Sequence, residues 1–322
     1  MTLTDLFASM PVSPSNFRYS GHETFVCRYA WLPKAVQHLS DGRNSRLFSD
    51  ENDAMVRLGV GKNMVRSIRF WAETAGVIES LGDHKGYAVT PFGQELLGHD
   101  GHDQYLEHPS TLWLLHWKIA TNPNGPIYQW VQMLNHWHRA EFTEGEAMGF
   151  LKKNLPPKAQ SLSDRTTEDG LRVFINTFIP TRGRKGEVAE DNLDSPFVEL
   201  GLLRRCGERT DIKSGQLEWI YSFAIEDKPG ISAELFAYCL NDFWRNEHVN
   251  EQTISFGAAA VGEGSPGQIF KLPEASVRHY LDQIKQTTKG AITFQESASL
   301  QQVTRSSKAD SFDFLENIYI PA

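Results

Sequence analysis

Between Asp50 and Thr90, glycine recurs at positions 59, 61, 76, 82 and 86 and cuts the chain into pieces too short to fold alone. Residues 50–58 read as a short helix. Residues 62–75 read as a stronger one, with Val65, Ile68, Ala72 and Ala75 on its buried stripe. Ser49 stands where an N-cap belongs, and Asp50, Glu51 and Asp53 behind it suit the positive end of a helix dipole. Gly59 and Gly61 make the turn between the helices, and Gly76 ends the second. Residues 77–80 and 87–90 read as strands around a turn at 82–86, and Pro91 opens a helix at 92–97. Helix, glycine turn, helix and hairpin in this order predict a winged helix-turn-helix, a module that reads DNA.

The full chain has 322 residues, enough for two or three domains with their own cores. The spacing predicts a mainly α protein with small β elements (α+β): a flexible arm at 1–20, the winged helix at 21–100, a helical middle at 101–166 and a second winged-helix-like unit at 167–322. A helix is expected at 24–39, with Pro33 able to break it. Helices at 109–120, 126–138 and 143–151 form the middle, and 154–166 reads as a linker. Thr167 is expected to cap a helix at 167–178, with a charged surface loop at 181–195, a short helix or turn at 196–203 and a strand at 217–225. Helices at 233–246 and 273–286, a glycine-bearing stretch at 256–267 and strands near 291–295 and 300–304 complete the last unit.

Charge sharpens the expectation. The protein carries 40 acidic and 32 basic residues, a net charge of −8, which excludes a uniformly basic coat for nucleic acid. Yet residues 54–71 hold Arg57, Lys62, Arg66 and Arg69 and no acid. Lys62, Arg66 and Arg69 fall at i, i+4 and i+7, which lines three cations along one helix face with Asn63 and Ser67 at its border. A recognition helix needs cations for phosphates and short polar groups for base edges; a solvated helix face would carry the same residues. Lys85, next to His84 at the tip of the expected hairpin, is placed to touch a sugar-phosphate backbone. Arg182, Arg184 and Lys185 form a further basic knot, with Glu187, Glu190, Asp191 and Asp194 close behind.

Several chemistries fall away. Gly59-Val60-Gly61-Lys62-Asn63 lacks the earlier glycine and the hydroxyl residue of a phosphate-cradling loop. No GxSxG elbow is present, and Cys27, Cys206 and Cys239 form no CxxC pair. No signal peptide or membrane-length apolar run is present, so a reducing cytoplasm is the expected compartment. Two acidic constellations survive as candidates. His22 and Glu23 could act as acid and base, although neighbours in sequence do not face one way on a helix. Asp50, Glu51 and Asp53 form a carboxylate cluster in which Asp50 and Asp53 could hold Mg²⁺ or another divalent metal, although the helix dipole alone explains acids there. His99, His102 and His108 read as a solvated loop, and His116, His136 and His138, set among tryptophans, as core or interface histidines.

GHETF at 21–25, FSDENDAMVRLGVGKNMVRSIRFW at 48–71, STLWLLHWKIA at 110–120, DNLDSPFVELGLL at 191–203 and SPGQIFKLPE at 265–274 resemble one bacterial domain family catalogued as of unknown function. The resemblance runs from about Phe17 to Arg305. This family includes the SspB nickase of single-strand DNA phosphorothioation systems. The resemblance therefore implies a DNA-binding role in phage defence, nicking that opens DNA for sulfur insertion, and work beside a cysteine desulfurase and ATP-dependent enzymes, with a homodimer as a further expectation. It assigns no catalytic set, and the chain lacks the familiar nuclease signatures. His22, Glu23, Asp50 and Asp53 are accordingly candidates on their chemistry alone. A winged-helix regulator or adaptor without catalysis is the competing reading.

Overall fold

Gly21, Glu23 and Thr24 take left-handed backbone angles, with φ of 115°, 48° and 64°, and this fixes where the first helix starts. The computed structural model describes residues 16–40, 46–82, 85–180, 195–211, 215–297 and 299–320. Helix α1 spans Trp31–Ser40 rather than 24–39, because the chain is still turning at Thr24. Pro33 falls in the first turn of α1, where its missing N–H has no intrahelical role, so nothing breaks. Phe17 and Tyr19, expected in a loose arm, pack on the Tyr128 ring at 5.5 and 5.2 Å, and Arg18 pairs its backbone with Ile127.

The glycine-punctuated segment folds as α2 (Glu51–Leu58), α3 (Lys62–Thr74), an antiparallel hairpin of β1 (Ile78–Ser80) and β2 (Tyr87–Val89), and α4 (Pro91–Leu97). Asp50, not Ser49, caps α2: its side chain accepts from the backbone N–H groups of Asn52 and Asp53. A longer helical section follows, with α5 (Pro109–Ala120), α6 (Tyr128–Val131) continuing into a π-helical turn at Gln132–His136, α7 (Glu144–Lys153) and α8 (Asp164–Phe178). Ser163, not Thr167, caps α8, so the expected linker shortens by one helical turn.

A three-stranded antiparallel sheet joins β3 (Glu141–Phe142), β5 (Leu217–Phe223) and β4 (Leu203–Thr210) in the order β3-β5-β4. Strand β4 had no sequence signal. It lies at the sheet edge and is largely exposed, and Arg204, Arg205, Glu208 and Arg209 include neighbours in sequence, so charge falls on both faces and no apolar alternation marks the strand. The remaining elements are α9 (Ala233–Glu247), β6 (Thr253–Ser255), α10 (Phe256–Val261), α11 (Pro266–Ile269), α12 (Glu274–Thr287), β7 (Ile292–Glu296), β8 (Gln301–Arg305) and α13 (Phe314–Tyr319). Their sheet runs β6-β8-β7. Among the described residues, helices joined by three small sheets make this an α+β fold. Among the described residues no helix is long and apolar enough to cross a membrane.

One connected cluster of buried apolar side chains runs from Val26 to Ile318. Its spine is a chain of rings. Trp71 on α3 meets Trp130 on α6 at 5.7 Å, Trp130 meets Phe174 on α8 at 5.0 Å, and Phe174 meets Phe178 at 5.4 Å. Phe178 then meets His116 on α5 at 5.4 Å, and Phe270, just after α11, meets Trp113 at 5.5 Å and Trp117 at 5.7 Å. Edge-to-face pairs contribute about 0.5–1.5 kcal/mol each beyond their burial. Trp130 links Trp71 to Phe174 within this spine, so Trp130→Ala is expected to cost about 3–5 kcal/mol of unfolding free energy in urea denaturation. Near-native stability in that variant would remove the spine from the account.

Candidate nucleic-acid interface

Helix α3 has two faces with different tasks. Val65, Ser67, Ile68, Phe70, Trp71, Ala72 and Thr74 are buried. Lys62 and Asn63 are exposed, and Arg66 and Arg69 are half-buried on the same side. The turn that aims α3 depends on Gly59, whose φ of 66° ends α2 in the left-handed region that glycine adopts without strain. Behind α3 the hairpin turns tightly, with Leu81 N–H donating to the Gly86 oxygen at 2.9 Å, and Lys85 is exposed at its tip.

The GHETF loop is sewn to α3 from above. Ser67 Oγ donates to the His22 carbonyl at 3.0 Å, and Trp71 Nε1 donates to the Phe25 carbonyl at 3.1 Å. Gly21 passes so close to Phe70 that a Cβ there would sit 2.7 Å from the ring. His22 therefore points inward and is 3% exposed. Its Nδ1 accepts the Thr24 N–H at 3.1 Å, and its ring packs edge-on to Phe70. Burial pushes the imidazole down to about 4, against a smaller upward pull from the Asp169 charge. The Nε2 atom is buried without a hydrogen-bond partner among the described residues.

The carboxylates of Asp50, Glu51 and Asp53 are engaged. Asp50 caps α2 through Oδ1, and Asp53 Oδ2 pairs with Arg57 Nε at 2.6 Å. Glu51 crosses to α3. Its Oε1 accepts Arg66 Nε at 2.6 Å, and its Oε2 lies 2.9 Å from Lys62 Nζ and 3.3 Å from an Arg66 terminal nitrogen. Hydrogen bonds from Arg66 and then Lys62 hold the Glu51 carboxyl down at about 2. Glu23 acts on Arg66 as a further negative charge. The structure thus brings Glu23, Lys62 and Arg66 together, with Arg69 one turn along.

Asp50 Oδ1 faces the backbone N–H groups of its own helix, and Asp53 Oδ2 faces Arg57. Among the described residues no three His, Cys, Asp or Glu side chains are arranged to hold a metal ion. Arg182, Arg184, Lys185, the acids at 187–194 and His84 lie outside the described residues. The role of Glu51 as a partner for the cations was not visible in the sequence; the order of the two helices that carry them was. A cleft of about 500 Å³ behind the hairpin is lined by Arg18, Phe92, Lys118 and Asp242, but its charges answer one another, Lys118 to Asp242 at 3.0 Å and Arg18 to Glu73 at 3.1 Å.

Residues 19–319 match a family described as "Protein of unknown function (DUF4007)". The chain belongs to this family. Two solved structures share its fold. Magnesium ion-bound SspB is 25% identical, with a TM-score of 0.77 over 94% of this chain and 87% of that one. A second SspB structure is 24% identical, with a TM-score of 0.76 over the same shares. Comparison with curated proteins finds no match.

Family membership does not change the physics of His22. Unfolded, the imidazole takes its proton near 6.5; folded, it does so only near 4. His116, enclosed by Trp113, Phe178 and Phe270, is likewise pushed down to about 4 by burial. Between these values the unfolded chain binds the extra protons, so stability is full above about 6.5 and falls as pH drops toward 4. Each fully expressed shift corresponds to roughly 3 kcal/mol. Urea midpoints across this window are expected to fall with acidity, and His22→Asn is expected to remove close to one proton from that slope. An unchanged slope would show that His22 titrates normally.

Proposed function

We propose that this protein is a DNA-binding component of a DNA phosphorothioation system, docking on duplex DNA through α3. The observation that carries the reading is Lys62, Arg66 and Arg69 on the outward side of a helix whose inward side is locked by Ser67 and Trp71. The fold shared with SspB supports the choice of system. In this reading residues 21–100 form a winged helix-turn-helix with β1–β2 as the wing. Residues 101–166 form a helical connector. Residues 167–322 form a second winged-helix-like unit. Arg57, Asn63 and Lys85 border the DNA face, and Arg182, Arg184 and Lys185 extend it. A cysteine desulfurase, ATP-dependent enzymes and a second copy of the chain are the proposed partners.

Each phosphate neutralised by a cation adds about 0.9 to the slope of log affinity against log salt. Replacing Lys62, Arg66 and Arg69 together by glutamine is expected to weaken duplex binding and to flatten that slope by about 2 to 3. Binding indistinguishable from wild type would sink the assignment of α3.

DNA nicking is the second reading, favoured by the likeness to an SspB that binds magnesium ion. Asp50 is committed to its cap and Asp53 to Arg57, so no hydrolytic step is routed through them. Any Mg²⁺-dependent nicking of supercoiled plasmid is expected to survive Asp50→Ala combined with Asp53→Ala. Loss of nicking in that variant, with its fold intact, would place the metal there after all.

A further inference from the structure

The DNA face proposed above carries a built-in anion. Glu51 sits in the fork of Arg66, one oxygen on Nε and the other shared with a terminal nitrogen and with Lys62 Nζ. A planar pair of oxygens in an arginine fork, with a lysine on one of them, is also how such a site holds two oxygens of a phosphodiester. Asp53 makes no such contact and faces Arg57 on its own helix. Arg69 and Lys85 make no ion pair with a described residue. The charge on this surface is therefore divided: Lys62 and Arg66 are answered by Glu51, Arg57 by Asp53, and half-buried Arg69 and exposed Lys85 by no described acid.

We propose that Glu51 is a specificity-determining residue of the DNA face, its carboxylate occupying the phosphate position at the Arg66–Lys62 fork until a correctly seated backbone phosphate displaces it. The inference rests on the reading of α3 as the DNA face. Glu51 and Arg66 are both about one-third exposed, at 29% and 35%, so solvent screens the pair and its opening is cheap. The carboxyl titrates near 2, so acidification within the physiological range does not open it, whereas a competing anion does. A loosely approaching duplex, with no phosphate at the fork, meets only the open cations. In a protein of net charge −8 this keeps casual DNA contact weak.

The test is a salt titration of binding to a short duplex of mixed sequence, read by fluorescence anisotropy, with Glu51→Gln and Glu51→Ala beside wild type. Both variants are expected to bind more tightly, on the order of 3- to 10-fold at low salt, with a slope steeper by about 1. The slope reports charge at the interface and does not move with a simple loss of stability. An unchanged slope, or a shallower one, overturns the inference. The glutamine variant of Lys62, Arg66 and Arg69 separates the two claims. If it weakens binding while Glu51→Gln leaves the slope alone, the DNA face stands and the role of Glu51 is lost. If it binds as wild type does, the DNA face itself fails.

Discussion

Trp71 and Trp130 meet edge to face at 5.7 Å, and most of the molecule is arranged around that contact. Trp71 is fully buried on α3; Trp130 is buried on α6 and passes the contact on to Phe174. Interiors packed at crystal-like density transmit position rather than absorb it. The helix that carries the basic face is thus registered against the central helices and, through Phe178, His116 and Phe270, against the last third of the chain. Its surface cations are placed by a core that reaches across the protein.

The polar bonds above α3 follow from the same packing. A buried Ser67 hydroxyl and a buried Trp71 N–H need partners, and the carbonyls of His22 and Phe25 supply them. To present both carbonyls the chain must turn sharply, which costs left-handed angles at Glu23 and Thr24. The turn drives the His22 ring inward and leaves Glu23 beside Arg66. The motif that the sequence offered as a candidate for acid–base chemistry is, in place, also a clasp over α3.

The parts legible in the sequence were those decided locally. Gly59, Gly61 and Gly76 bracket α3, and its apolar stripe sets its length to within a residue. The order of α2, α3, β1, β2 and α4 could be read for the same reason. The start of α1 could not, because the turn before it is imposed by Ser67 and Trp71, more than forty positions away. Strand β4 was hidden by its polarity, and the cap of α2 fell one residue later than expected because an aspartate outcompeted a serine. In the candidate site, the cations were visible from their spacing. The Glu51 pairing was not, since it depends on two helices crossing at close range.

The backbone pairing of Arg18 with Ile127, and the rings of Phe17 and Tyr19 on Tyr128, tie the start of the described chain to its centre. Together with the Trp71–Trp130 contact, they make the glycine-punctuated unit a poor cassette. A fragment cut near residue 100 would lose the strand partner of its first residues and bare one side of Trp71. Grafted onto another scaffold, it would bring its cations but not the support that aims them. Descent by shuffling of this unit between unrelated proteins is correspondingly hard, and variation is expected to accumulate at its exposed tip rather than at its base.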